Sequence, residues 1–501
     1  MSQLHKTLNS DDCYRALIAR DSRFDGVFFV AVKSTRIYFR PVCTVKSPMQ
    51  RNCTFYPSAA SAICESNGYR PCLRCRPELA PGHAPVDSRT RLAGQALRLI
   101  DDLANSDLAN SDLGSLAKVA QLLGVTPRHL RRVFEGELGV SPMQYILTQR
   151  LLAAKLMLTD TNMPVTEIAL ASGFASVRRF NDAFVEHYKL NPSRLRKEAR
   201  PGWRNELKTD ARPNIIACQL SYRPPYDWES MLSYLRARGS ALVERVSDDG
   251  KYLRTVAIGD SKGYLVVEQT RDSKGQIKPN ALTLSMSASL GPVFMQVVTR
   301  IKRLFDLQAN PLVIADALGE LAAERPGLRV PGAFDSFEIG VRAILGQQVS
   351  VKAATSLAGR LAERFGERIQ TPYADIYLAT PDPRVLACAD VDEISALGIM
   401  PTRARAIKVF ATAYGELDLA PGADYKTTVA ALTALPGIGE WTAEYIAMRC
   451  LAWPDAFMHG DLGIKKALGI STKKALIEVA QQYKPWRAYA TMHLWKSLEI
   501  K

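Results

Sequence analysis

The spacing of apolar and polar residues changes period along the chain. From residue 113 it is helical. The run LGSLAKVAQLLGVTPRHLRRVFEGELG predicts a small-residue helix, a turn at Gly124, a cap at Thr126 followed by Pro127, and then a basic amphipathic helix. The layout returns at VTEIALASGFASVRRFNDAFVEHYKLNPSRLRK, where residues 169–173 take the place of 120–124, and a long helix over residues 144–158 joins the two. From residue 215 to 307 the pattern alternates, as in YLRTVAIG, GYLVVEQT and ALTLSMSA, which predicts an antiparallel sheet with a few helices. From residue 311 onward it is mostly helical again.

The last stretch contains the densest candidate chemistry. Residues 425–435 are rich in Ala, Thr and Leu at helical spacing. Pro436 and Gly437 stop that helix, Gly439 lets the backbone turn, and a second helix starts at Glu440. Small residues in such a turn leave backbone N–H groups bare at a helix N-terminus, where they favour a phosphate. Trp441 and Tyr445 are four apart and share one helix face. Asp461 follows a loop marked by Pro454 and Gly460. Bare amides, an aromatic face and one carboxylate suit an enzyme that works on a base drawn out of DNA. The plainer alternative is a turn between packed helices, with Asp461 capping residues 462–468; one carboxylate can do both.

LPGIGEWTAEY, DAFMHGDLGIKKAL and YKPWRAYATMHLW resemble the helix-hairpin-helix DNA glycosylases of the AlkA type, the inducible 3-methyladenine DNA glycosylases. RAILGQQVS, YRPPYDWESMLSYLRARG and RLFDLQANP match the same family, so the resemblance runs from about residue 215 to the C-terminus. It implies hydrolysis of the N-glycosidic bond to an alkylated purine. Such a base is cationic and leaves readily, so the remaining need is a carboxylate beside the positive charge that develops on the sugar. The resemblance implies that Asp461 is that carboxylate, although His459 departs from the family's prolyl stretch. It also implies that Trp441, Tyr445 and Trp495 line the base pocket, with Tyr234 where the family has a Phe. Tyr234 reads equally as a core aromatic. Gln348 stands where the family wedges a side chain into the gap left by the flipped nucleotide. Pro436, Gly437 and Gly439 form the phosphate-binding hairpin. Trp441, preceded by Glu440, stands where bifunctional relatives carry a Lys for a Schiff base, which implies a monofunctional enzyme. No Cys follows Cys450, so no iron–sulfur cluster is expected there. A Pro-Cys-His-Arg motif for repair of O6-alkylguanine is also absent from the sequence.

The composition, 47% hydrophobic and 23% charged, is that of an ordinary globular protein, and 501 residues suit roughly three or four domains. No apolar run reaches the roughly 18 residues of a membrane span, and the N-terminus lacks a signal-peptide apolar region, so a cytoplasmic protein without a membrane partner is expected. The formal net charge is +15. Residues 1–200 hold 28 Lys and Arg against 18 Asp and Glu, the rest 37 against 32. An excess concentrated in the first two fifths suits a polyanion, and also fits a soluble basic protein.

Six of the nine Cys lie before residue 76, which in a cytosolic chain points to a metal rather than to disulfides. Cys72 and Cys75 form a C-x2-C pair, with Cys43 and Cys53 upstream; this spacing suits one tetrahedral zinc, against the alternative of scattered buried thiols. ARDSRFDGVFFVAVKSTRIYFRPVC and GYRPCLRCRPE resemble the zinc domain of Ada-type methylation-response proteins. That resemblance implies zinc on four Cys, one of which accepts a methyl group from a DNA phosphotriester. Cys43, Cys72 and Cys75 match three ligands, but Phe39 stands at the acceptor position. Cys53 supplies the fourth thiolate, or that position is open or filled by water. Zinc binding without the methyl switch is expected.

The paired helical units resemble the AraC-type DNA-binding domain, which implies that the second helix of each lies in the major groove. Arg128, Arg131, Arg132, Arg178, Arg179 and Asn181 are candidates for DNA contact, although about half the basic side chains on such helices are simply solvated. LANSDLANSD, residues 103–112, is a tandem duplication that lengthens a loop or helix end. The whole reads as multidomain, mainly α with α+β parts: a small zinc-binding α/β domain (1–82), an all-α double helix-turn-helix domain (83–200), a linker (201–213), an antiparallel sheet domain (214–310) and an all-α helix-hairpin-helix glycosylase domain (311–501). Residues 81–90 also read as a linker. The expected partner is double-stranded DNA with alkylated bases. A second reading, a regulator of the alkylation response with a fused glycosylase, adds promoter DNA.

Overall fold

The computed structural model of the chain describes residues 10–57, 68–72, 74–77, 80, 96, 117, 119–121, 123–161, 163–198, 215–272, 274–421 and 423–499. The linkers at 81–90 and 201–213 and the duplication at 103–112 lie outside the described residues. The fold comprises two compact units, one of residues 1–224, 269–299 and 307–310, the other of 225–268, 300–306 and 311–501.

In the first unit, α1 (Ser10–Ala19) precedes a four-stranded sheet of β1 (Phe29–Val32), β2 (Ile37–Phe39), β3 (Cys53–Tyr56) and β4 (Arg70–Pro71), in the order β3-β1-β2-β4. β1 is antiparallel to β2, with Val30 opposite Phe39, and to β3, with Phe29 opposite Tyr56; β2 and β4 are parallel. Successive side chains of a strand point to opposite faces. Val30 and Val32 accordingly join Cys13, Ala16 and Leu17 of α1 in one apolar cluster, while Phe29 and Ala31 join Tyr38, Tyr56 and Tyr69 in another. β1 is therefore buried on both faces, and its sequence, FVAV, has no polar position.

The helical part of this unit follows the expected repeat. α2 (Pro127–Leu138) and α5 (Val177–Tyr188) each start at a hydroxyl cap, Thr126 accepting from the His129 amide and Ser176 from that of Arg179. Each ends on a left-handed residue, Gly139 or Lys189. Between them lie α3 (Pro142–Asp160), opened by a capping box of Ser141 and Gln144, and α4 (Val165–Ala171); α6 (Pro192–Glu198) closes the set. Leu130, Phe134, Val140 and Ile146 form the core of the first repeat, and a ladder of Phe174, Phe180, Phe184 and Tyr188 that of the second.

Five further strands form one sheet in the order β5-β9-β8-β7-β6: β5 (Ile215–Ser221), β6 (Glu244–Val246), β7 (Tyr252–Ile258), β8 (Ser261–Arg271) and β9 (Ile277–Ser287). The pairs β5–β9, β6–β7 and β7–β8 are antiparallel, as the alternating sequence predicts. α7 (Trp228–Arg238) precedes β6, and α8 (Phe294–Leu304) and α9 (Pro311–Leu318) follow the sheet.

The rest of the second unit is helical: α10 (Ser336–Leu345), α11 (Val351–Phe365), α12 (Pro383–Cys388), α13 (Val391–Ser395), α14 (Pro401–Ala413), α15 (Tyr425–Thr433), α16 (Glu440–Arg449), α17 (Leu462–Leu468), α18 (Lys473–Val479) and α19 (Arg487–Ser497). α10 and α14 meet at Gly340, where an added Cβ would overlap the Phe410 ring; Phe337 stacks on the same ring at 5.6 Å. A buried charge lattice ties α10 to β6 and β7. Arg254 meets Glu338 at 2.9 Å, and Arg342 meets Glu244 at 2.6 Å and Glu338 at 2.8 Å. Tyr252 donates to Glu244 as well. Removing one member would leave an uncompensated buried charge, a loss of about 3–5 kcal/mol.

Candidate functional site

The hairpin between α15 and α16 has the local geometry that its residues dictate. Gly437 has φ +87°, and an added Cβ there would stand 2.6 Å from the Cβ of Ala406 on α14. Gly439 caps α16 without a side chain, so no side-chain oxygen covers the amides of its first turn. The loop before α11 is tied to this hairpin. The Gln347 side-chain amide donates to the Gly437 carbonyl at 2.9 Å and to the Thr442 hydroxyl at 3.0 Å. Its neighbour Gln348 is exposed and has φ +55°, a left-handed backbone that a non-glycine residue adopts at a cost.

Asp461 caps α17, and its Oδ1 accepts the Ile464 amide at 2.9 Å. Trp441 Nε1 donates to Oδ2 at 3.0 Å, and Trp495 Nε1 to Oδ1 at 2.9 Å. α16, α17 and α19 thus converge on one half-buried carboxylate. Trp441 stacks on Tyr445, with centroids 5.4 Å apart and planes 10° apart. The Tyr445 and Tyr234 hydroxyls are 3.0 Å apart, and Arg449 Nη1 donates to both, at 2.6 and 2.8 Å. Arg449 Nη2 goes to the Gly332 carbonyl at 3.0 Å. Burial pushes the Tyr234 phenol up to about 12, against the pull of the Arg449 charge. Arg238 lies 4.0 Å from the centroid of the Tyr234 ring and 5.8 Å from that of Trp495.

The structure therefore gathers Asp461, Trp441, Tyr445, Trp495 and Tyr234 into one cluster, beside the hairpin residues Pro436, Gly437 and Gly439. Tyr234 is both a buried aromatic and a member of that cluster. Arg449, Arg238 and Gln347 were missed in the sequence. Spacing could have found the two arginines, since Arg449 follows Tyr445 by four and Arg238 follows Tyr234 by four.

In the first unit the thiols of Cys43, Cys72 and Cys75 lie within 4.8 Å of one another. Hydrogen bonds from Cys43 and Cys75 hold the Cys72 thiol far below its ordinary value, and the Arg40 amide donates to Cys75 Sγ at 3.4 Å. Three converging sulfurs, one held as thiolate, suit zinc, and these three residues would hold it. Cys53 does not join them, which corrects the expectation that it supplies a fourth thiolate. It lies on β3 opposite Val32, and its thiol faces the Met49 carbonyl at 3.5 Å. Phe39 is buried and packs in the same cluster as Cys43 and Cys72. On the helix-turn-helix part, Arg128, Arg131, Arg132, Arg178 and Arg179 are exposed on α2 and α5, and Asn181 is half-buried on α5.

A hairpin with bare amides, beside a carboxylate and an aromatic cluster, defines a helix-hairpin-helix base-excision protein. The family described as HhH-GPD superfamily base excision DNA repair protein matches residues 341–485, and the AlkA N-terminal domain matches 217–335. A helix-turn-helix domain matches 119–198 and the metal binding domain of Ada 12–78. The chain is 36% identical over 500 residues, 97% of it and 96% of the relative, to the probable bifunctional transcriptional activator/DNA repair enzyme AlkA of Mycobacterium tuberculosis (strain CDC 1551 / Oshkosh). It belongs to that family of AlkA enzymes with Ada-type zinc and helix-turn-helix domains. DNA-3-methyladenine glycosylase 2 of Escherichia coli (strain K12) is 41% identical over 278 residues, 55% of this chain and 95% of that protein. The solved 3-methyladenine DNA-glycosylase from Archaeoglobus fulgidus shares the fold, with TM-score 0.50 and 18% identity over 56% of this chain and 98% of its own. The chain is thus a DNA glycosylase that binds DNA and carries a zinc-binding domain. No helix among the described residues is long and apolar enough to cross a membrane.

Proposed function

We propose that this enzyme flips an alkylated, cationic purine out of duplex DNA and hydrolyses its N-glycosidic bond, with Asp461 as the catalytic carboxylate. The observation that carries this reading is how Asp461 is held. Its partners are two indole N–H groups and one backbone amide, all neutral. An ion pair would quench the carboxylate; neutral donors orient it and leave its charge for the sugar cation. Trp441, Tyr445, Trp495 and Tyr234 wall the base pocket. Gln348 fills the gap in the stack from its strained, exposed turn. The amides after Pro436, Gly437 and Gly439 take a backbone phosphate.

Zinc, bound by Cys43, Cys72 and Cys75, would cross-link the small first sheet. Phe39 can neither bind the metal nor accept a methyl group, so this domain positions DNA rather than sensing its methylation. A cytoplasmic location accompanies this reading. Asp461→Asn is expected to keep affinity for damaged duplex while lowering single-turnover base release by about a hundredfold or more. Release at the wild-type rate would remove Asp461 from the mechanism.

The exposed arginines of α2 and α5 favour a second activity, regulation of a promoter. Footprinting of the full chain on its own promoter, with Arg128, Arg131 and Arg178, Arg179 replaced by Ala as the control, tests it. No protected site would leave repair alone.

A further inference from the structure

We propose that Glu444 is a positioning residue for base excision: it holds the turn that leads into Asp461, and so sets where that carboxylate stands. The inference rests on the glycosylase reading above and adds to it a residue outside the aromatic cluster. Glu444 lies on α16, three residues after Trp441, and is half-buried. Both of its oxygens are taken. The Tyr425 hydroxyl of α15 donates to Oε1, and the Phe457 amide donates to Oε2 at 3.1 Å.

Phe457 opens the turn that ends on Asp461. Its carbonyl accepts the His459 amide at 3.1 Å, and the Met458 carbonyl accepts the Asp461 amide at 2.9 Å. A displacement at Phe457 is therefore passed to Asp461 through the backbone of a closed turn. Upstream the loop is fixed separately: Trp453 stacks on Tyr425 with centroids 5.1 Å apart, and Asp455 pairs with Arg487 at 2.6 and 2.8 Å.

One other side chain of α16 reaches the turn. Glu440 Oε2 meets His459 Nε2 at 3.2 Å, but its side chain is 63% exposed and it is shared with Lys473 at 2.9 Å. An exposed, shared pair holds a loop weakly, whereas a sheltered carboxylate that accepts a backbone amide holds it firmly. The grip on the turn therefore falls to Glu444. One helix thus supplies a donor to the Asp461 carboxylate, from Trp441, and an acceptor for the turn that precedes it. Misplacing a reacting group by about 1 Å costs on the order of a hundredfold in rate. The two indoles still hold Asp461 when Glu444 is lost, so the loss expected here is smaller.

The test uses the full chain and methylated duplex. Single-turnover release of 3-methyladenine at saturating enzyme, and duplex affinity, are measured separately for wild type, Glu444→Ala and Glu444→Gln, and again with each change placed on Asp461→Asn. Release should fall about tenfold in Glu444→Ala and about threefold in Glu444→Gln, which keeps an oxygen for the Phe457 amide, while affinity stays within about twofold. On Asp461→Asn the same changes should cost less than about twofold, because a residue that acts through the carboxylate has no charge left to position. An equal loss in both backgrounds, a loss confined to affinity, or an unchanged rate would make Glu444 a packing residue and overturn the proposal. Should Glu444→Ala fail to fold, Glu444→Gln carries the same comparison alone. If Asp461→Asn releases the base at the wild-type rate, the catalytic reading of Asp461 falls first, and this inference with it.

Discussion

His493 lies on α19 two residues before Trp495 and is only 7% exposed. Burial pushes its pKa down to about 4. The unfolded chain binds a proton there below about pH 6.5, whereas the folded chain does so only near 4. The folded state is therefore penalised as pH falls from about 6.5 towards 4, by up to about 3 kcal/mol, and is unaffected above that window. The fall in urea midpoint between pH 7 and pH 5 should be smaller in His493→Gln than in the wild type. Equal falls would show that this imidazole does not titrate as its burial implies. The same helix carries Trp495, so acid would loosen one of the donors that hold Asp461.

At the scale of elements, the hairpin is the part most exposed to a single substitution. Gly437→Ala would place a methyl group 2.6 Å from Ala406 on a backbone with φ +87°. The left-handed backbone alone costs about 1 kcal/mol for a residue with a Cβ, and the contact adds to it. A lower melting temperature together with weaker, less salt-dependent duplex binding is the expected result; an unchanged salt slope would mean the hairpin amides hold no phosphate. This hairpin was legible because Pro, Gly and helical periodicity are local signals. Asp461 was legible too, as a cap and as a motif position. The charge lattice of Glu244, Arg254, Glu338 and Arg342 was not, because its members come from β6, β7 and α10 and only the fold brings them together. Cys53 failed for a related reason: its spacing from Cys43 fits a metal site, but the register of β3 against β1 places it beside Val32 and away from the other sulfurs.

For the whole molecule, the zinc thiols lie in the first compact unit and Asp461 with its indoles in the second. One zinc per chain is expected by elemental analysis, and Cys72→Ser should lose it, because a hydroxyl cannot replace the thiolate that the other two sulfurs support. 3-Methyladenine release should persist in that variant; its disappearance would show that the metal domain is needed for excision. Incubation with DNA carrying methyl phosphotriesters should leave every cysteine mass unchanged, and one added methyl per chain would overturn the proposal that Phe39 abolishes the sensor role.

Gln347 links the loop that carries Gln348 to the hairpin through two hydrogen bonds from one nitrogen. With Gln348 as the proposed wedge and the hairpin as the proposed backbone grip, the two would arrive with their spacing already set, like the jaws of a fixed-gauge tool. A helix stretched by a bound intercalator would fit one jaw and miss the other, so such a dye should protect a nearby lesion without ever touching the protein.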